Sequence, residues 1–178
     1  MRDDAAVLLF PGGVRESNHG KDEAYELFWP EETDFVRVAA KYGADIVPFG
    51  AVGAADSFTI VRDKDEPLPF GGGDPRGGAG SVPSARRWAN RTEDFRFPLA
   101  VPTSPRRFYF RFGEVIATAD LDANDKDACA AVYAEARDAC RGSIDWLLEK
   151  REGDAYENPL LRLPYEAASG AAAPTFEV

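Results

Sequence analysis

Apolar and polar residues fall into short runs and helical periods whose order predicts the elements. Ala5 to Phe10 is unbroken and apolar, the pattern of a short buried β-strand. It stops at Pro11-Gly12-Gly13, where the chain must turn and where the backbone can approach a ligand closely. A polar segment from Ser17 to Glu26 leads to the cluster Leu27-Phe28-Trp29-Pro30. Glu31, Glu32, Thr33 and Asp34 then supply the acidic first turn and cap of a helix. Phe35, Val36, Val38, Ala39, Ala40 and Tyr42 form its apolar side, and Gly43 ends it. Asp45 to Gly50 predicts a second buried strand. Strand, helix and strand in this order predict a βαβ unit, hence an α/β fold with a mostly parallel sheet flanked by helices.

Downstream the pattern breaks and then resumes. Residues 63–94 carry Gly71-Gly72-Gly73, Gly77-Gly78-Ala79-Gly80 and four nearby prolines, which predicts a flexible loop or insertion. No Gly-Lys-Ser/Thr follows these glycines, so a phosphate-binding loop is not indicated. Order returns at Phe95, and Arg107 to Phe112 reads as a strand ended by Gly113. From about Asp125 to Glu152, Cys129, Val132, Tyr133, Ala136, Cys140, Ile144, Leu147 and Leu148 recur at helical steps, predicting one long helix. The organisation expected is therefore 1–62, the loop 63–94, 95–170 completing the same domain, and an Ala-rich disordered tail over 171–178.

Composition narrows the possible functions. The chain has 178 residues with a hydrophobic fraction of 44%, and no apolar run approaches the roughly 20 residues of a membrane-spanning helix. The N-terminus shows no secretory or transit sequence. A net charge of −10 argues against nucleic acid as a partner. The charge is uneven, with eight arginines and three acids between Asp74 and Phe112. That stretch reads either as a solvated surface or as a patch for phospholipid headgroups or the phosphates of an acyl carrier. Cys129 and Cys140 lie about 16 Å apart along one helix, beyond disulfide reach, so both are expected as free thiols.

The candidate chemistry sits at the first turn. Arg15 follows the end of the first strand, well placed to hold substrate oxygens, or alternatively to pair with Glu16 or Glu26. Phe10-Pro11-Gly12-Gly13-Val14-Arg15-Glu16 resembles the acceptor-binding block of the glycerolipid acyltransferase superfamily, usually Phe-Pro-Glu-Gly-Thr-Arg-Ser after a strand. Ile46 to Gly50 resembles that superfamily's next block. The likeness is closer to the plant and algal diacylglycerol acyltransferase-like branch that includes the phytyl ester synthases. There Pro-Gly-Gly-Val-Arg-Glu is followed by a histidine, like His19, and by Leu-Phe-Trp-Pro, like Leu27 to Pro30. The resemblance extends to Phe108–Gly113, to Lys150–Tyr156 and to Arg162–Tyr165.

What the resemblance implies is an acyltransferase that moves an acyl group from an acyl-CoA or acyl carrier protein thioester to a neutral lipid alcohol, diacylglycerol or phytol. Phe10, Pro11, Gly12, Gly13, Arg15 and Glu16 would bind the acceptor, no metal or cofactor is implied, and the location implied is a plastid, with peripheral membrane or lipid-body contact. Gly12, in place of the superfamily's glutamate, fits an uncharged alcohol. The superfamily's catalytic His-x-x-x-x-Asp is not present in these 178 residues: the one histidine, His19, is followed five positions later by Ala24. No catalytic residue is therefore assigned, and the chain is expected to be inactive alone, either as half of an active enzyme or as a non-catalytic lipid-binding or regulatory relative. His19 reads as a solvent-exposed loop residue, and Phe28 and Trp29 as core residues.

Overall fold

Asp125 accepts a hydrogen bond from the Ala128 amide at 3.0 Å and so starts the longest helix. The computed structural model describes residues 5–63 and 98–176. In chain order its elements are α1 (Gly13–Ser17), α2 (Asp34–Tyr42), β1 (Phe49–Val52), a 3₁₀ turn at Ala55–Ser57, β2 (Phe58–Arg62), β3 (Leu99–Pro102), β4 (Tyr109–Phe112), α3 (Lys126–Glu152), a second 3₁₀ turn at Ala155–Glu157 and α4 (Pro159–Ser169). The linker expected over 63–94 falls, apart from Asp63, outside the described residues.

α3 is the spine. Its buried Cys129, Tyr133, Ala136, Cys140, Ile144 and Leu147 step down one side, as the periodicity predicts. At 1.5 Å per residue the helix is about 40 Å long, enough to carry two separate clusters. Near its start Cys129 and Tyr133 join Val36 of α2, with Trp29, Phe35 and Ile46 packed around them. Toward its end Ile144 and Leu147 join Val52 and Tyr109, closed by Tyr25, Leu27 and Phe176. Both cysteines are free and buried, and burial pushes the Cys140 thiol above its ordinary value.

The sheet departs from expectation. β1 pairs antiparallel with β4, Phe49 opposite Phe112 and Val52 opposite Tyr109, and β2 pairs antiparallel with β3. The mostly parallel sheet is thus corrected to two small antiparallel ones among the described residues. Ala5–Phe10 was to be the first strand of the βαβ unit. It is in no strand, and Val7, Leu8 and Phe10 stand 70%, 68% and 59% exposed. Of the predicted strand Asp45–Gly50 only Phe49 and Gly50 fall in β1, which continues to Val52 and pairs with Tyr109–Phe112, running the opposite way across the same side of α3. Ile46 and Ile116 extend that pairing by an isolated antiparallel bridge. Strand β1 lies so close to α3 that a Cβ at Gly50 would stand 2.8 Å from the Ile144 amide nitrogen. Gly43 ends α2 in the left-handed conformation at φ 59°, as predicted.

The C-terminal region is more ordered than its composition predicts. Asn158 caps α4 through the Leu160 amide, and Pro159 opens the helix. Pro164 inside it removes one donor, but buried Arg162 anchors the helix by donating to the Pro105 carbonyl at 2.9 Å. Residues 171–176, expected to be disordered, pack down. Ala173 is buried, Phe176 stacks on Tyr109 with centroids 5.4 Å apart, and Arg107 donates to the carbonyls of Ala173 and Pro174. The node is Asp154, whose Oδ2 accepts from Tyr109 Oη at 2.8 Å, Thr175 Oγ1 at 3.2 Å and Arg107 Nη1 at 3.3 Å. Of the arginine-rich stretch, the three described arginines are all committed internally: Arg106 to Glu157, Arg107 to Asp154, and Arg111 over the Trp146 ring at 4.5 Å.

Asp154→Ala strands the Tyr109 hydroxyl and the Arg107 guanidinium, and should cost about 3 kcal/mol. A lower urea midpoint at unchanged m-value reads this out. Leu160→Ala, at a side chain 80% exposed, is the control and should shift stability by less than about 0.5 kcal/mol.

Candidate functional site

The two turn glycines do different jobs. Gly13 has φ +51°, a left-handed conformation that a side chain disfavours, and its amide closes the turn onto the Phe10 carbonyl at 3.0 Å. Gly12 has φ −74° and ψ −16°, open to any residue. A side chain there would instead have to displace Glu16, since a Cβ would stand 2.0 Å from Glu16 Cδ. Glu16 folds back across Gly12, and its Oε1 accepts from the Phe28 amide at 2.8 Å. Burial pushes the Glu16 carboxyl above the usual range, with the Phe28 amide pulling the other way.

Arg15, the next residue back, grips the same segment from another side. Its Nη1 and Nη2 donate to Glu23 Oε2 and Oε1 at 2.8 and 2.7 Å, a forked pair. Its guanidinium carbon lies 3.7 Å from the centroid of the Phe28 ring. The hydrogen bond to Glu23 holds the Arg15 pKa above its ordinary value. Phe28 is thus held at its ring by Arg15 and at its amide by Glu16.

Glu23 is presented by an unusual loop. Asp22 and Tyr25 have φ of +62° and +66°, a region that non-glycine residues rarely adopt. Glu23 Oε2 also accepts from the Gly20 amide at 2.5 Å, and Lys21 donates its amide to Asp63. The Tyr25 hydroxyl donates to Asp56 and accepts from the Gly53 amide at 2.9 Å, while Arg151 pairs with Asp56. Burial, reinforced by Asp56, raises the Tyr25 pKa. His19 is half-buried, and its Nδ1 donates to the Gly20 carbonyl at 3.0 Å.

The sequence-derived residues therefore diverge. Phe10 turns toward Phe49, with ring centroids 6.0 Å apart, Arg15 toward Glu23 and Phe28, and Glu16 toward the Phe28 amide. The ion pair expected with Glu16 or Glu26 is made by Glu23. No helical spacing links positions 15 and 23, and the only trace in the sequence is the turn-forming Gly20-Lys21-Asp22. Trp29 is a core residue, its ring 5.6 Å from Tyr133. Phe28 instead carries the guanidinium. The Tyr25–Asp56–Arg151 group was not foreseen, because its members lie on three separate elements. Chemically the turn offers an apolar ring and a neutralised cation.

Residues 1–68 match the family described as "Diacylglycerol acyltransferase". Over 187 residues the chain is 40% identical to phytyl ester synthase 2, chloroplastic, of Arabidopsis thaliana, an alignment that takes in 100% of this chain and 27% of that protein. It is 38% identical over 194 residues to phytyl ester synthase 1, chloroplastic, of the same plant, covering 96% of this chain and 26% of the relative. The chain thus spans about a quarter of the length of these relatives. No solved structure matches it.

Gly12→Ala should displace the Glu16 carboxylate, free the Phe28 amide and cost about 1–2 kcal/mol. In a Glu16→Ala background the same substitution should cost almost nothing, and a double-mutant cycle in urea measures this coupling. Glu16→Gln keeps the acceptor for Phe28 but cannot ionise. Because the folded carboxyl has a raised pKa, the native state holds the proton that the unfolded state has already lost, so stability falls as pH rises above the unfolded value. The Gln variant should therefore gain on wild type in thermal unfolding as pH rises through and above the ordinary carboxylate range.

Proposed function

The chain belongs to the diacylglycerol acyltransferase family, with the phytyl ester synthases as its relatives, and on that premise we propose that it forms the acceptor side of an acyl transfer from a thioester to a neutral lipid alcohol, phytol or diacylglycerol. The observation that carries this reading is the forked pair between Arg15 and Glu23. A phosphate-bearing acceptor calls for an uncommitted cation with donors to spare. Both terminal nitrogens of Arg15 are already engaged, and its face lies on Phe28. Gly12 no longer supports the neutral acceptor by itself, since Glu16 brings a carboxylate into the space beside it.

In this reading Phe10, Pro11, Gly12, Gly13, Arg15 and Glu16 shape the acceptor-side turn, and Glu23 holds Arg15 in place. The donor is an acyl-CoA or acyl carrier protein thioester. The chloroplastic relatives support a plastid setting.

The test uses phytyl ester synthase 2 with its matching segment replaced by this chain. Arg15→Ala should raise KM for phytol or lower kcat by about tenfold or more, equivalent to at least about 1.4 kcal/mol. Arg15→Lys should fail similarly, since an ammonium cannot make the fork. Unchanged kinetics in both variants, or efficient esterification of glycerol phosphate, would overturn the reading.

A further inference from the structure

One face of the β1–β4 sheet is filled, and the other carries no layer among the described residues. Gly50, Val52, Tyr109 and Arg111 face α3, while the alternation of strand residues puts Val47, Phe49, Phe110 and Phe112 on the outer side. Phe110 and Phe112 are 61% and 70% exposed. Phe49 links Phe112, at 5.9 Å between centroids, to Phe10, at 6.0 Å, so the outer face continues into the unpaired apolar run Val7–Phe10. With about 150–250 Å² per aromatic side chain, the exposed parts of Phe10, Phe110 and Phe112 alone present roughly 300–400 Å². Soluble monomers rarely leave much more than that uncovered.

We propose that this face, with Val7–Phe10 along its edge, is a protein-docking surface, and that its occupant is the part of a phytyl ester synthase-type polypeptide to which these 178 residues do not correspond. Length is the argument for the occupant, because about three quarters of each relative lies outside the match. Shape agrees with it. An extended apolar segment beside a flat sheet face accepts a further strand and the layer that covers it, whereas a lipid chain is held in a concave site. The proposal rests on family membership and not on the acceptor reading, so either can fail without the other.

Two measurements test it. In cis, hydrogen exchange compares the chain alone with the chain grafted into phytyl ester synthase 2 in place of the matching segment. The amides of residues 5–10 should slow by tenfold or more in the graft, and unchanged exchange there overturns the proposal. In trans, the chain is co-expressed with phytyl ester synthase 2 lacking that segment. It should co-purify at one-to-one stoichiometry, Phe112→Asp should weaken the complex at least tenfold, and Leu160→Asp on α4 should leave it intact. If the deleted relative does not fold, the exchange measurement decides. Equal effects of the two substitutions overturn the proposal, as does self-association of the isolated chain that Phe112→Asp abolishes, which would assign the face to a second copy.

Discussion

The contact between β1 and α3 at Gly50 governs the rest of the structure. With no side chain between them, strand and helix meet at backbone distance, and Val52 and Tyr109 on either side can reach Ile144 and Leu147. That closeness sets where β4 runs, because β4 pairs with β1 across the same side of the helix. Among the described residues the opposite face of the sheet has no covering layer. The second cluster, around Val36 and Tyr133, uses the other end of the same helix and needs no sheet. Leu27 belongs to the first cluster and Trp29 to the second, so the short stretch between them joins the two cores.

That stretch is also what the Pro11–Ser17 turn and helix hold. Phe28 lies between Leu27 and Trp29, and consecutive residues of α1 take its ring and its amide. The turn is thereby registered against both cores, and its arginine is balanced by Glu23.

The helices were legible in the sequence and the sheet was not. α3 announced itself through an apolar step of three and four over seven turns and through Asp125, and α2 through Gly43. These signals are local, and helices are local structures. Strand direction depends on which distant segment arrives as a partner, and Asp45–Gly50 carries no mark of Tyr109–Phe112. The Ala5–Phe10 run had the composition of a strand, but a ladder needs a neighbour, and it has none among the described residues. α4 was hidden by Pro164, and the tail by its alanines. What orders them is Arg162, Asp154 and Phe176, whose partners lie far off in sequence. At the turn, the break after Phe10 was legible from Pro11-Gly12-Gly13, and the ion-pair alternative for Arg15 was legible in kind but not in partner. Glu23 was not, because left-handed Asp22 and Tyr25 swing it back by a route that no periodicity encodes.

The cluster around Leu147 has a kinetic side. It gathers Tyr25 from near the start of the chain, Val52 and Tyr109 from its middle, and Phe176 from close to its end. Contacts of such long sequence separation form only after large loops have closed, whereas α3 needs only its own neighbours. By this measure the largest loop to close is the one that returns Tyr25 to α3, 116 residues along the chain from Arg141, and the tail closes a shorter one. Until Phe176 settles between Tyr109 and Trp146, the last side of that core stays open to solvent.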